Sequence, residues 1–83
     1  MKLPTDEKEK LEFLKYLYNY CISVNWNKEK MEQLAKQLDT NLGYIKRYAI
    51  EYAYKIMSRN EVKQLEAKIR EIRKKEKEVS VPS

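Results

Sequence analysis

The sequence predicts an all-α protein: a three-helix core followed by a C-terminal amphipathic helix. Three observations carry that prediction. Glycine appears once and proline twice in 83 residues, too few for a chain that turns through many hairpins. Apolar residues recur at intervals of three and four through four separate stretches. The polar breaks between them hold residues that cap helices. A single domain of this size has a marginal core and often depends on a partner or a second copy.

The first helix is expected over about 6–24. Thr5 or Asp6 can cap it, and Glu9 follows Asp6 at capping-box spacing. Acidic residues fill its first turn, where the helix dipole favours them. Leu11, Leu14, Leu17 or Tyr18, and Cys21 form its stripe, widened by Phe13, Tyr16, Tyr20 and Val24. So broad an apolar surface predicts a central helix touched on two sides. Asn25-Trp26-Asn27 ends it. Asn27 reads as the cap of a second helix over about 28–38, with Trp26 and Met31 at the spacing of a hydrophobic staple. Met31, Leu34, Ala35 and Leu38 make its inner face; Lys28, Glu29, Glu32 and Lys36 make its outer face.

Asp39-Thr40-Asn41 connects to a third helix over about 42–57, capped by Asn41 or Thr40. Ile45, Tyr48 or Ala49, Tyr52 and Ile56 form its inward stripe. Ser58 and Glu61 then have capping-box spacing and open a fourth helix from Arg59 to about Lys77. Its Val62, Leu65, Ile69 and Ile72 alternate as a and d positions over two heptads and are the candidates for dimerisation. A parallel pair would set Glu61 against Glu66 and Lys68 against Arg73, so an antiparallel or different packing is favoured. The competing role for this stripe is to cover the chain's own first helix. Residues 1–60 are thus expected as the main domain, and 61–83 as a C-terminal helix for self-association with a frayed tail from Glu78 to Ser83. Nothing after Met57 alternates with period two, so no β wing is expected.

Composition narrows the function. There is no histidine, and Cys21 is the one cysteine. With these numbers a zinc site is nearly excluded, and no Ser-His-Asp or Cys-His nucleophile can be assembled within the chain. Phosphate-cradling glycine-rich loops are missing too, so no cofactor and no catalysis are expected. The N-terminus turns acidic where a signal peptide would be apolar, and no run approaches the length of a membrane span. Together with the lone thiol, these features point to a cytoplasmic protein with no membrane partner. The net charge is +5 with a pI near 9.3, which suits an acidic partner. Seven tyrosines raise the idea of base stacking. Tyr48 and Tyr52 fall on an inward stripe, however, and Tyr16 and Tyr20 on the first helix, which favours core or interface.

The stretch from Leu34 to Ile50, LAKQLDTNLGYIKRYAI, holds most of the functional information. Two helices joined by a turn of three or four residues, with a small residue inside the first, describe a helix-turn-helix. Ala35 falls where the helices cross closely, Leu34 and Leu38 supply the core face, and Ile45 anchors the second helix. The stretch resembles the helix-turn-helix of small DNA-binding regulators of the archaeal or mobile-element type, in which Leu-Ala-x-x-Leu leads into a recognition helix. The resemblance covers about 20 of the 83 residues. It departs in the turn, where Asp39 replaces the usual glycine and Thr40 the usual aliphatic. Aspartate tolerates the left-handed conformation better than most residues.

The resemblance implies that the third helix enters the major groove by its N-terminal half. Its outward residues would be Asn41, Leu42, Gly43, Tyr44, Lys46 and Arg47, with Ile50 or Glu51 at the far edge. Arg47 is the leading candidate for a guanine contact, because its planar fork can engage O6 and N7 together. Lys46 suits a base or a phosphate, and Tyr44 a phosphate or a thymine methyl. Asn41 can cap the helix or reach a base, hardly both. Gly43 either clears the approach of the backbone to DNA or is a permissive turn residue. Lys36 and Lys55, with Lys28 and Lys30, are flanking phosphate candidates, extended by Arg70, Arg73, Lys74, Lys75 and Lys77. Between Thr40 and Arg59 four cations stand against Glu51 alone. The expected function is sequence-specific binding of double-stranded DNA by a small homodimeric transcriptional regulator. The alternative is a protein-interaction module serving a replication or transcription complex, since fold does not dictate function, and an exposed Leu42 and Tyr44 would suit it. A nucleoid-type protein without sequence preference is the third reading.

Overall fold

Four helices make up most of the chain: α1 (Glu7–Ser23), α2 (Lys28–Gln37), α3 (Leu42–Ile56) and α4 (Arg59–Ser80). The structure is a computed structural model that describes residues 3–80, with side chains as far as residue 77. No strand occurs among the described residues.

Each helix starts on a cap that the sequence offers. The Asp6 carboxylate accepts from Glu9 N at 3.3 Å, Asn27 Oδ1 from Lys30 N at 2.9 Å, and Asn41 Oδ1 from Tyr44 N at 3.3 Å. Ser58 and Glu61 cap reciprocally: Glu61 N donates to Ser58 Oγ, and Ser58 N donates to Glu61 Oε1, each at 3.3 Å. A cap contributes about 1 kcal/mol, enough to set a helix start locally.

Two helix ends share one geometry. Trp26 N donates to Cys21 O at 2.8 Å and Asn25 N to Ile22 O at 3.0 Å; Thr40 N donates to Ala35 O at 2.8 Å and Asp39 N to Lys36 O at 3.2 Å. These are Schellman motifs, which require one left-handed residue past the helix. Asn25 (φ 53°) and Asp39 (φ 54°) supply it, so Asp39 takes the conformation that glycine would have taken. Trp26 is left-handed as well, at φ 56°, which costs about 1–2 kcal/mol for a bulky residue. Its burial offsets that strain: the indole is 1% exposed and meets Tyr18 edge-on at 6.4 Å.

Leu17 and Cys21 of α1, Met31 and Leu34 of α2, Ile45 and Ala49 of α3, and Ile69 of α4 gather around Trp26 in one buried cluster. The central helix is α3 rather than α1, because α3 packs against each of the other three. Its inner face runs through Ile45, Ala49 and Ala53, all fully buried, and the two alanines admit close neighbours. Tyr48 and Tyr52 are half-buried flanks, and Ile56 is exposed in the last turn. The wide apolar surface of α1 overstates its burial. Leu14, Leu17 and Cys21 are buried, but Leu11, Tyr16 and Ile22 stay exposed, since one face of the helix is enough to meet α3.

The apolar stripe of α4 packs inward. Val62 and Ile69 are fully buried within a single chain, and Leu65 and Ile72 pack half-buried against the same core. The far end of the helix is pinned by Arg73. Its Nη1 donates to Trp26 O at 2.8 Å and to Glu76 Oε2 at 2.9 Å, and its Nη2 approaches Met31 Sδ at 3.5 Å. Glu76 Oε1 in turn accepts from Lys28 N at 3.1 Å. The stripe of Val62, Leu65, Ile69 and Ile72 thus packs within the single chain, as the competing covering role requires, with Leu65 and Ile72 left half-buried. Two heptads are too short to hold a zipper but long enough to cover a small bundle. The helix also continues past Lys77 to Ser80, where fraying was expected; the rest of that tail, with Pro82, lies outside the described residues.

Candidate nucleic-acid interface

The side of α3 opposite Ile45, Ala49 and Ala53 faces outward. Gly43, Arg47, Ile50 and Tyr54 follow one another there at helical spacing, over about 16 Å. With Lys46 and Glu51 they line an open depression of about 400 Å³. Gly43, Arg47, Glu51 and Tyr54 are exposed, while Lys46 and Ile50 are half-buried. Arg47 forms no ion pair among the described residues. The first turns of α1, α2 and α4 carry acidic residues, and that of α3 carries none. No acid within the first turn of α3 therefore offsets the positive end of its dipole.

The predicted residues are placed unequally. Leu42 is half-buried against the core rather than exposed, because it lies on the inner side of α3. Asn41 is committed to the cap through its Oδ1. Gly43 sits inside the helix without a left-handed φ, so it is no turn residue. A Cβ there would stand 3.2 Å from Asn41 Oδ1, so the missing side chain leaves room for the cap oxygen. Tyr44 is 46% exposed, and its ring stacks on Tyr48 at 6.0 Å and 22°. Lys36 is exposed in the last turn of α2, and Lys55 in the last turn of α3, about 12 Å along the axis from Arg47. Arg73 leaves the phosphate candidates, because its guanidinium is engaged by Trp26 and Glu76.

Two features escaped the sequence reading. Tyr54 completes the outward stripe of α3, seven residues beyond Arg47, and its hydroxyl donates to Glu66 Oε1 of α4 at 3.3 Å. The Arg73–Glu76 pair was legible as an i,i+3 spacing, but its reach to the α1–α2 junction was not. Cys21 has no reactive character. Burial pushes its thiol up to about 12, opposed only in part by the nearby Arg73 charge.

No group of three potential metal ligands occurs among the described residues, and no helix there is long and apolar enough to cross a membrane. No protein-family model matches the chain, and no curated protein or solved structure matches it either.

Proposed function

We propose that this chain is a helix-turn-helix protein that binds double-stranded DNA, with α2 and α3 as the two helices of the motif. The observation that carries the reading is Arg47: exposed, without an ion-pair partner among the described residues, and in the second turn of a helix whose first turn carries no acid. Backbone amides at such a helix start attract a phosphate and set the register on the duplex. Arg47, farther along the same face, then reads a guanine edge with its fork. Gly43 keeps the path between them clear, and Ile50 and Tyr54 offer apolar contact beyond. Lys46, Lys36 and Lys55 supply flanking phosphate contacts, and Tyr44, held by its stack on Tyr48, adds a thymine-methyl or phosphate contact. The left-handed Asp39 in a four-residue connection supports the motif assignment. The protein acts by binding and carries out no chemistry.

Selection of bound sequences from a random duplex pool tests this directly. The expected result is a short preferred site, with Arg47→Ala relaxing one base position by about 1–3 kcal/mol. Duplex binding undetectable at low salt overturns the reading. In that case the exposed Tyr44 and Tyr54 would favour the protein-interaction module.

A further inference from the structure

Three carboxylates of α4 are hydrogen-bonded within the chain, and four of its outward cations pair with none of them. Glu61 is bound by Ser58, Glu66 by the Tyr54 hydroxyl, and Glu76 by Arg73 and Lys28 N. Helical periodicity places Arg59, Lys63, Arg70 and Lys74 on one stripe, turned away from Val62, Leu65 and Ile69. All four are exposed, and none forms an ion pair among the described residues. Two acids flank the stripe: Glu71, exposed and without a hydrogen-bonded partner among the described residues, on one side, and the half-buried Glu66, which accepts from the Tyr54 hydroxyl, on the other. The four cations span about 22 Å.

We propose that this stripe is a second nucleic-acid surface, which grips the phosphate backbone of duplex DNA without reading its sequence. Duplex DNA presents about one charge per 1.7 Å of axis, so a linear row of cations finds phosphates in any register. An anionic membrane fits less well, because an interfacial helix inserts apolar side chains beside its cations. The apolar face of α4 is turned into the core. An acidic protein fits less well too, because the stripe has no aromatic or aliphatic anchor of the kind that carries protein interfaces. The Tyr54–Glu66 hydrogen bond joins α4 to the outward stripe of α3, so the two surfaces adjoin. The proposal rests on the DNA-binding reading but not on the part of α3 in it.

The experiment compares the full chain with the quadruple variant R59Q/K63Q/R70Q/K74Q and with Arg47→Ala. Each is titrated, by fluorescence anisotropy from 50 to 200 mM salt, against a duplex recovered by selection and its scrambled counterpart. Thermal melts of the variant check that it folds. The quadruple variant is expected to lose affinity for both duplexes alike, and its salt slope should become shallower by roughly 3–4. Arg47→Ala is expected to change the ratio between the duplexes instead. An unchanged salt slope in a folded quadruple variant overturns the second surface while leaving base reading by α3 intact. Stripe-dependent binding with no preference between duplexes does the reverse. Failure of the intact chain to bind either duplex at 50 mM salt overturns both, and stripe-dependent binding to phosphatidylserine vesicles would then reassign the stripe to a membrane.

Discussion

Replacing Arg73 by alanine removes the contact that pins the distal half of α4 to the junction of α1 and α2. The guanidinium gives a charge-assisted hydrogen bond to the part-buried Trp26 carbonyl at 2.8 Å and an ion pair to Glu76 at 2.9 Å. A hydrogen bond to a charged group contributes about 1.5–3 kcal/mol. The ion pair adds less, about 0.5–1 kcal/mol, because both side chains are still 25% exposed. Water can reach part of what is vacated, so the combined loss is about 2–3 kcal/mol rather than the full sum. For a domain of this length that lowers Tm by roughly 10–20 °C. Urea and thermal melts followed by circular dichroism measure it. Arg73→Lys should recover less than half of the loss, since one ammonium cannot serve the Trp26 carbonyl, the Glu76 carboxylate and the Met31 sulfur together. Glu76→Ala should cost about 1–2 kcal/mol, as it also strips the acceptor from Lys28 N. A loss below about 0.5 kcal/mol for Arg73→Ala, or full rescue by lysine, would refute the idea that this clamp holds α4 in place.

Ile69→Ala should cost about 2–5 kcal/mol by opening a cavity in the cluster around Trp26, with no change in sedimentation mass. A fall in mass at unchanged stability would instead assign the stripe to a second copy. Cys21 should stay unreactive toward a thiol reagent at pH 8 in the native chain and react at once when unfolded. Its folded pKa of about 12 lies above the ordinary 9.0, so its contribution to stability is full below pH 9 and is lost as pH rises toward 12. The pH dependence of stability in that window should therefore be steeper than in Cys21→Ala. Asn25→Gly should stabilise the chain by about 0.5 kcal/mol, read from urea melts, because glycine adopts the left-handed conformation there without a steric cost.

Much of the fold was legible because the signals are local. Asp6, Asn27, Asn41 and the Ser58–Glu61 pair each bond to an amide three residues on, so their meaning does not depend on distant partners. Trp26 and Met31, read as a staple, are both buried in one cluster. Leu42 and Arg73 were misjudged. Leu42 lies three residues before Ile45, on the face that Ile45, Ala49 and Ala53 bury, so helical spacing placed it inward where the helix-turn-helix resemblance placed it outward. Arg73 looked like one more surface cation until the Trp26 carbonyl, 47 residues away, claimed it.

Sequence alone determined the helical class, the four helix starts, the left-handed turn at Asp39 and the lack of a histidine in these 83 residues. These depend on hydrogen bonds within one turn of helix, on glycine and proline content, and on which side chains exist at all. Tertiary structure alone decided that α3 is central, that the stripe of α4 covers its own core, and that Arg73 is engaged while Arg47 remains exposed. Periodicity names the face of a helix that will be buried, but not what buries it. That depends on which surfaces meet when four helices close around Trp26, a question settled by the sum of packing contacts over the whole chain.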